Sequence, residues 1–538
     1  MSRLLFAAAT LRRAPAPAVA VAVAVELAVA VAVAVAVAVA VTRILGPLLL
    51  IVALLAAAAA PLAAASPVPP NVVILYADDM GYGDLGANNP DSKIPTPHLD
   101  RLASTGTRFT DAHSSSGVCT PSRYALLHGR YHWRKFHGIV QSFDQPILDA
   151  ERTTIAELLR GRGYATAAFG KWHLGWDWEA IRRAGAEPRV EGKNKIYAAA
   201  DFDWRRKIPG GPLAHGFDRY FGDDVPNFPP YAWFEDDRIP VAPTLQLMTT
   251  GEPPEGNWEC RPGPMVHGWD FHAVMPTLTD RAVAWIEQQT PDRPFFLYFP
   301  FTSPHAPILP TAAFTGRSAA GPYGDFVAQT DDTVGRVLDA LEREGFADNT
   351  LVIFTSDNGP ERYAYERTRA FGHRSMGPLR GLKRDLWEGG HRVPMIVRWP
   401  GHVPAGRVAD GLVSQVDLYA TIAAAVGAAI PAGSAEDSLD QLAWFEGKAP
   451  SARREIVHNT HADGYALRQD DWILIDAPSG GISEIPPWYL TAEGIPTPVH
   501  PGELYDLRTD PGERHNRFDS EPDRVAAMQR RLDTLLGR

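Results

Sequence analysis

The sequence predicts an α/β fold with a large central mixed, mostly parallel sheet flanked by helices, and a smaller C-terminal α+β domain with an antiparallel sheet and a helix. Short apolar runs such as Asn71–Tyr76, Phe295–Phe299 and Thr350–Thr355 have the character of buried strands. Amphipathic helical segments, of which Tyr323–Glu344 is the longest, separate these runs. After about Gly433 the predicted strands become short and closely spaced, which favours an antiparallel sheet.

Length and composition limit the class of protein. The 538 residues suffice for two domains, and 45% hydrophobic with 21% charged residues is typical of a soluble globular protein. The net charge of −11 argues against a nucleic-acid partner, so any site for an anion must be locally positive. Two cysteines, Cys119 and Cys260, exclude a disulfide-stapled scaffold but leave one bridge between them open. The oligomeric state stays open.

Residues 1–65 are predicted to be a low-complexity extension followed by a signal peptide. Residues 18–41 are almost pure Ala-Val repeat, which specifies no packed structure. Arg43 then precedes the apolar run Ile44–Leu62, which ends in small residues around Ala65. This order is typical of a secretory signal cleaved near Ala65, and the run is also long enough for an uncleaved membrane anchor. We therefore expect an exported protein, periplasmic or secreted.

Oxygen-bearing side chains follow two predicted strands. Asp78 and Asp79 come directly after the first strand, where open α/β sheets place their binding sites. Like charges at that position repel unless a cation or basic groups lie between them. Asp357 and Asn358 follow a later strand in the same way, so four oxygen ligands converge from two strand ends. Such a set suits a hard cation, Ca²⁺ or Mg²⁺.

A thiol precedes a predicted short helix. The helix runs from Arg123 to Leu127, which puts Cys119 at or near its N-terminus, where backbone N–H groups and the macrodipole favour an anion. Arg123 lies one turn further on and can point toward the same anion. A structural cysteine beside a surface arginine is the alternative on these residues alone.

Two cationic side chains follow the predicted strand Tyr164–Phe169. Lys171 and His173 are two residues apart, so on an extended segment they would point the same way. Their position at a strand end, between Gly170 and Gly175, favours a clamp for an anion.

Residues 176–275 are rich in Trp, Pro, Gly and Asp, which predicts loops over a pocket. The acidic pair Asp223 and Asp224 stands out in this stretch. Four tryptophans could stack on sugar faces or could instead pack the loops, namely Trp176, Trp178, Trp204 and Trp269.

Taken together, these motifs resemble the type I, formylglycine-dependent sulfatases, and within the alkaline phosphatase superfamily they look like the arylsulfatase A-like enzymes. The resemblance runs from about Asn71 to Asn516, with the motifs in the family's order. They are Asp78-Asp79-x-Gly-x-Gly, Cys119-x-Pro-x-Arg123, Gly170-Lys171-Trp172-His173-Leu174-Gly175, His305-x-Pro307, Ser356-Asp357-Asn358-Gly359, Gly381-x-Lys383, Glu388-Gly389-Gly390-x-Arg392-Val393-Pro394 and Glu503-Leu504-Tyr505-Asp506-Leu507. One departure is His128, where the family usually has a small residue, often Thr.

The resemblance implies a catalytic sulfatase domain over residues 66–432 and a C-terminal antiparallel-sheet subdomain over residues 433–538. It implies that a formylglycine-generating maturation enzyme oxidises Cys119, so that Cys260 stays single. It also implies one bound Ca²⁺ per chain, or Mg²⁺ in its place, with ligands from Asp78, Asp79, the modified Cys119, Asp357 and Asn358.

By the same resemblance, Arg123, Lys171 and Lys383 are expected to surround the sulfate oxygens with positive charge. His305 is expected to protonate the leaving alcohol or to bind sulfate. His173 is expected to take a proton from the hydrated formylglycine when sulfate is released. The expected substrates are aryl sulfates or sulfated sugars, attacked from a chain end, with galactose or N-acetylgalactosamine 6-sulfate as the first choice.

Two other functions stay open at this point. One is a phosphatase or phosphodiesterase of the same superfamily, which would commonly use Ser or Thr as nucleophile and two zinc ions with several His ligands. The cysteine at position 119 and the carboxylate-rich ligand set disfavour it. The other is a catalytically inactive protein that binds sulfated glycans, and the retention of every matched catalytic position argues against it.

Overall fold

The central sheet positions every residue discussed below, and its strands coincide with the predicted apolar runs. The computed structural model describes residues 24–43, 69–192, 194–248, 259–460, 464–495 and 500–538. Its strands are β1 Asn71–Ala77, β2 Thr107–Phe109, β3 Ala112–His113, β4 Ala165–Lys171, β5 Arg189–Glu191, β6 Asn194–Ile196, β7 Arg219–Asp224, β8 Phe234–Glu235, β9 Leu245–Leu247, β10 Gly263–Met265, β11 Phe295–Pro300, β12 Thr350–Ser356, β13 Met395–Arg398, β14 Arg407–Ala409, β15 Val413–Ser414, β16 Glu455–Asn459, β17 Tyr465–Gln469, β18 Trp472–Asp476 and β19 Glu503–Asp506. Its helices are α1 Ala24–Arg43, α2 Pro97–Thr105, α3 Cys119–His128, α4 Ile155–Gly161, α5 Val274–Ile286, α6 Gly321–Arg343, α7 Ala364–Phe371, α8 Glu388–His391, α9 Leu418–Ala425, α10 Leu442–Phe445, α11 Pro487–Glu493 and α12 Pro522–Leu536.

Nine strands of the described chain form one mixed sheet, in the spatial order β14-β2-β13-β12-β1-β11-β4-β7-β8. At its centre β1 pairs in parallel with both β11 and β12, and β4 pairs in parallel with β11 and β7. Antiparallel pairing enters through β13, which lies between β12 and β2, and through β8 at one edge. The predicted mixed, mostly parallel sheet is therefore confirmed.

Both faces of the sheet are buried, which explains why its strands read as uninterrupted apolar runs. Along β1, Val72 and Ile74 belong to the core that includes side chains of α3, α4 and α9. Val73 and Leu75 face the opposite core, to which α2, α5 and α6 contribute. A strand covered by helices on both sides needs no alternation of apolar and polar residues.

The C-terminal antiparallel sheet is also confirmed. It has the order β16-β17-β18-β19, and each neighbouring pair is antiparallel. Met528 and Leu532 of α12 pack in one core with Leu467 and Leu474 of the sheet. Residues 69–538 form one compact unit that contains both sheets, and a domain boundary near residue 433 stays a prediction.

Helix α1 takes up most of the Ala-Val repeat and is exposed along its whole length. It is long and apolar enough to cross a membrane, with a mean hydropathy of 2.7. An apolar helix near the N-terminus is consistent with a signal peptide. The predicted signal run Ile44–Leu62 and the cut near Ala65 lie outside the described residues.

The sequence predicts a helix over residues 279–289, whereas α5 covers Val274–Ile286 and therefore begins earlier. Pro276 lies in its first turn, where the missing N–H costs no helical hydrogen bond, so the helix continues through it. The sequence also predicts a helix over residues 414–426 with a capping-box start at Ser414. The structure divides this segment, because a single 3-10 turn over Gln415–Asp417 precedes α9.

Candidate active site

The carboxyl ends of β1 and β12 bring four oxygen-bearing side chains together. These two strands are parallel neighbours, so Asp78 and Asp79 after β1 lie beside Asp357 and Asn358 after β12. The Asp79 backbone N–H donates to Asp357 Oδ1 at 3.2 Å, and Asn358 Nδ2 donates to Asp79 Oδ1 at 2.7 Å. All four residues are fully buried. Each carboxylate therefore needs compensation from within the protein.

Three cationic side chains supply that compensation. All three are buried, and the shortest salt bridge of each goes to a different carboxylate: Lys171 Nζ is 2.7 Å from Asp78 Oδ2, Lys383 Nζ is 2.7 Å from Asp79 Oδ1, and Arg123 Nη2 is 2.7 Å from Asp357 Oδ2. Arg123 Nη2 also lies 3.6 Å from Asp78 Oδ1. Arg123 Nε also donates to Asp357 Oδ2 at 3.1 Å, so two nitrogens of the guanidinium group bond to the same carboxylate oxygen. Three acids are thus balanced by three bases.

The compensation is unequal among the carboxylates. Burial raises the pKa of Asp357 to about 6, and the charge of Asp78 adds to this effect against the attraction of Arg123. Burial also pushes the pKa of Asp79 upward, but Lys383 and His305 outweigh it, so the pKa of Asp79 lies below its ordinary value. Of these two carboxylates, Asp357 is the one that gains more from an additional cation.

The donor set fits a hard divalent cation. Asp78 Oδ1 and Asn358 Oδ1 are buried and have no hydrogen-bond partner among the described residues. Ligand atoms of Asp78, Asp79, Cys119 and His305 all lie within 4.8 Å of one another. The charges of the three carboxylates and the three cationic side chains already cancel, so a bound divalent cation would give the site a net positive charge. A net positive charge favours binding of an anion in the cavity above.

Cys119 is the first residue of α3, directly above these carboxylates. Val118 before it is extended, and the helix ends at Gly129 in the left-handed conformation, whose N–H donates to Ala125 O. Cys119 is only 2% exposed. Burial raises the pKa of the Cys119 thiol although Lys171 and Lys383 oppose the effect, so the unmodified side chain is a weak nucleophile. Cys119 and Cys260 are both free, so the bridge between them is absent.

The expectation that Lys171 and His173 share an extended segment is wrong. His173 has a φ of 55°, and the pairing of β4 with β7 shifts register just before it. Gly170 has a φ of 120°, and a Cβ there would lie 1.9 Å from Pro300 O of the neighbouring strand β11. This bulge turns Lys171 down to Asp78 while His173 lines the cavity above.

The surroundings of His173 determine its tautomer. Its Nε2 lies 3.0 Å from Val140 O, and a carbonyl can only accept, so Nε2 carries the proton. Its Nδ1 is buried without a partner among the described residues. Burial, reinforced by Lys171 and Arg123, holds the pKa of His173 well below its ordinary value. His173 therefore presents a free lone pair.

His305 is also neutral near pH 7. Its Nδ1 lies 2.6 Å from Ala306 O and its Nε2 lies 3.6 Å from Asp79 Oδ2. Burial, followed by the charge of Lys383, lowers the pKa of His305 to about 3. An anion bound beside it would offset the positive charge of Lys383 and favour protonation.

A cavity of about 860 Å³ opens above this layer of charges. Its floor carries Cys119, His173, His305 and Lys383, and its walls carry both signs of charge, from Asp144, Glu259, Arg261, Glu361 and Arg384. The volume is within the range of about 300–1,000 Å³ that holds a small-molecule ligand. The structure thus brings the candidate residues of the sequence analysis together at or under one cavity.

Comparison with known proteins decides the family. The family model described as Sulfatase matches residues 70–428, two thirds of the chain. The chain belongs to the sulfatase family.

Curated relatives and solved structures agree with this assignment. An N-acetylgalactosamine-6-O-sulfatase of Bacteroides thetaiotaomicron is 31% identical over 504 residues, which cover 87% of this chain and 93% of the relative. Human arylsulfatase A is 33% identical over 468 residues, covering 83% of each chain. A sulfatase structure from a study of glycosaminoglycan metabolism in Bacteroides thetaiotaomicron has a TM-score of 0.72 at 30% identity, covering 87% of this chain and all of that one. The protein is accordingly a sulfuric ester hydrolase, of a family that generally uses formylglycine and a divalent metal.

The tryptophans of this sulfatase pack its loops and do not form a sugar platform. Trp176, Trp178 and Trp204 are at most 8% exposed and belong to the main core, and Trp269 packs against that core. Trp176 stacks on Phe234 of β8 with ring centroids 4.7 Å apart. Of the two readings that the sequence left open, packing is the correct one.

Two features of the sulfatase site were missed from the sequence. Asp224 Oδ1 accepts the His173 backbone N–H at 3.2 Å, so Asp224, which ends strand β7 and does not lie in a loop as predicted, supports the bulge beside the cavity. Glu361 pairs with Arg384 at 2.8 Å in the cavity wall, and it lies 4.0 Å from Lys383. The sequence marks Asp224 only as part of an acidic pair and does not mark Glu361, because the contacts that give both residues a role are tertiary.

Proposed function

We propose that this sulfatase removes the 6-sulfate from a terminal galactose or N-acetylgalactosamine residue, using a formylglycine made from Cys119 and one bound Ca²⁺. The observation that carries the proposal is the cavity in which Cys119, His173, His305 and Lys383 meet above four oxygen donors. The relative named N-acetylgalactosamine-6-O-sulfatase supports the choice of sugar. The volume of the cavity is within the range that holds a small ligand, which favours a single chain end over a long stretch of glycan.

The metal is proposed to lie between the two strand ends, held by Asp78, Asp79, Asp357, Asn358 and the modified residue 119. Ca²⁺ is the first choice and Mg²⁺ the alternative, because the donors are hard oxygen atoms. When bound, the ion acts as a Lewis acid toward sulfate. Arg123 keeps Asp357 in place through its two donors, 3.1 and 2.7 Å from Oδ2.

The side chains of the cavity floor are proposed to handle charge and protons. Formylglycine supplies, as its hydrate, a nucleophilic hydroxyl and a second hydroxyl that permits release of sulfate. Lys383 and Lys171 stabilise the negative charge that grows on the sulfate oxygens. His173 accepts a proton at Nδ1, the nitrogen that lacks a partner, while its Nε2–H stays bonded to Val140 O.

His305→Ala is expected to lower turnover of a sulfated sugar by about 10²–10⁴-fold and turnover of an activated aryl sulfate far less. A sugar alcohol is a poor leaving group that needs a proton, whereas an activated phenolate leaves without one. The measurement is kcat on both substrates, with His305→Gln as the matched variant that keeps a hydrogen-bond donor. Equal losses on both substrates would contradict the proton-donor role and make His305 a sulfate ligand.

A substrate panel tests the proposed activity as a whole. We expect hydrolysis of an aryl sulfate to exceed that of the matching aryl phosphate, and 6-sulfated galactose or N-acetylgalactosamine to be the best sugars. A disaccharide with the 6-sulfate on its non-reducing end should react, and one with it only on the reducing end should not. Faster phosphate hydrolysis would favour the phosphatase alternative, and absence of any turnover by matured protein would favour a sulfated-glycan-binding role.

Export and maturation are proposed to precede folding. The N-terminal apolar segment directs the chain to a periplasm or outside the cell, and it anchors the protein to a membrane if it stays uncleaved. The maturation enzyme is proposed to recognise the motif from Cys119 to Arg123 while it is still unfolded. Both residues are buried in the folded protein, which leaves them inaccessible to another enzyme afterwards.

A further inference from the structure

Three histidines form a buried cluster to which the proposed mechanism assigns no role. They are His113 at the end of β3, His391 at the end of α8 and His458 on β16, and each is 0% exposed. Their ring nitrogens approach within 4.8 Å of one another. Three segments that are far apart in the sequence therefore meet at this cluster.

The outer contacts of two of these histidines determine their tautomers. His391 Nε2 lies 3.0 Å from Leu386 O, so it carries a proton. His113 Nε2 lies 2.8 Å from Asp111 Oδ1, so it also carries a proton. In the neutral imidazoles both Nδ1 atoms are then lone-pair acceptors, yet they face each other at 3.0 Å. Two lone pairs at this distance require an electrophile between them, either a proton or a metal ion.

The third histidine has unused nitrogens. Neither Nδ1 nor Nε2 of His458 has a hydrogen-bond partner among the described residues. Its ring stacks on that of His391, with centroids 3.5 Å apart. A buried side chain with two unpartnered polar atoms is unusual and indicates a missing ligand.

We propose that His113, His391 and His458 form a structural site for a divalent transition-metal ion, with zinc as the first choice. Imidazole nitrogens are preferred donors for such ions, and zinc–nitrogen bonds of about 2.0–2.1 Å separate two tetrahedral donors by about 3.3 Å. The Nδ1 atoms of His113 and His391 already lie close to that separation, at 3.0 Å. The His458 ring must rotate out of its stack on His391 to present a nitrogen to the same ion.

The surroundings resemble the outer shell of a metal site. Metal-binding histidines commonly donate their second N–H to a carboxylate or a backbone carbonyl, as His113 and His391 do here. The carboxylates of Asp111 and Glu388 face the cluster, balanced by two guanidinium groups, those of Arg392 and Arg468. Glu388 Oε1 is buried without a partner among the described residues, so one carboxylate oxygen beside the cluster has no hydrogen bond that an added cation would have to break.

Such an ion would connect the segment before the nucleophile to the C-terminal sheet. His113 lies six residues before Cys119, and His458 belongs to β16. The Ser114 backbone N–H donates to His391 O at 2.8 Å, and Ser116 Oγ donates to Asn459 O at 2.7 Å. The metal would reinforce these contacts and hold the loop that leads into α3.

Metal analysis of the full-length protein tests the site. Because the cluster is buried, the protein is expressed with zinc in the medium, so that the ion enters during folding. We expect about one zinc per wild-type chain in addition to the ion of the oxygen site. His458→Gln and His391→Gln should each contain at least about fivefold less zinc. Asp357→Ala should retain its zinc, because that variant alters only the oxygen site.

A spectroscopic measurement on the wild type makes the test independent of the folding of any variant. X-ray absorption at the zinc edge should show at least three imidazole nitrogens at about 2.0–2.1 Å. Cobalt-loaded wild type should show the visible bands of tetrahedral cobalt, and His458→Gln should lose them. The proposal would be overturned if folded wild-type protein contained less than about one tenth of a zinc ion per chain, or if its zinc were bound mainly by oxygen. An unchanged zinc content in both His458→Gln and His391→Gln would overturn it as well.

Discussion

Cys119→Ser is expected to lower kcat on an activated aryl sulfate by at least about 10³-fold while the protein still folds. Serine differs from cysteine by one atom, and the position is buried at the start of α3, so the packing survives. A serine hydroxyl can attack sulfate, but the resulting ester has no second hydroxyl on the same carbon to expel the sulfate. The reaction should stop after one turnover.

The signature of that arrest is a burst of product followed by inactivity, with a sulfate group retained on the peptide that contains residue 119. Cys260→Ser is the matched control, because it removes the other thiol of the chain and should leave turnover in place. Thermal unfolding of both variants establishes that they are folded. Sustained turnover by Cys119→Ser at the wild-type rate would contradict the proposed chemistry.

Asp357→Ala is expected to remove the bound metal and, with it, turnover, again by at least about 10³-fold. The variant lacks one proposed oxygen ligand and the acceptor for two Arg123 donors and the Asp79 backbone N–H. Breaking a buried ion pair of this kind costs about 3–5 kcal/mol, so the free energy of unfolding should fall too. Asp357→Asn keeps the size of the side chain and one acceptor oxygen. Comparing it with Asp357→Ala therefore separates the effect of losing the metal from the effect of losing stability.

Elemental analysis and kcat on purified variants provide the measurement. Asp348→Ala is the control, since Asp348 is an exposed acid just before β12, at the opposite end of that strand. Calcium or magnesium near one per chain is expected in the wild type and in the control. The proposed metal site would be contradicted if Asp357→Ala kept its full metal content and normal turnover. It would also be contradicted if the ion required for turnover at these oxygen ligands were zinc.

The sheet could be predicted from the sequence because its central strands are buried on both faces. β1 and β12 are continuous apolar runs, and each is followed at once by acidic or amide side chains that no core could hold without partners. The bulge at Gly170 could not be predicted, because it depends on how β4 pairs with β7 and on the space that Pro300 O of β11 leaves beside Gly170. A contact between strands that far apart leaves no periodic pattern.

The site residues that could be predicted are marked by local sequence, and the site residues that were missed are defined by tertiary contacts. Asp78 and Asp357 are marked locally by their strands, whereas Lys383 was found only through the family resemblance. Asp224 acts through the backbone of His173, and Glu361 through Arg384, so their roles depend on tertiary contacts alone. The histidine cluster has no spacing motif for the same reason, since His113 and His391 are 278 residues apart.

The mass of the peptide that contains residue 119 tests the central claim most directly. The protein is produced together with a formylglycine-generating enzyme, and the modified fraction of this peptide is compared with the activity of each preparation. We expect the cysteine to have exchanged H₂S for oxygen, and the activity to rise in proportion to the modified fraction. Fully active protein with an unmodified Cys119 thiol, or with a Cys119–Cys260 disulfide, would contradict the account.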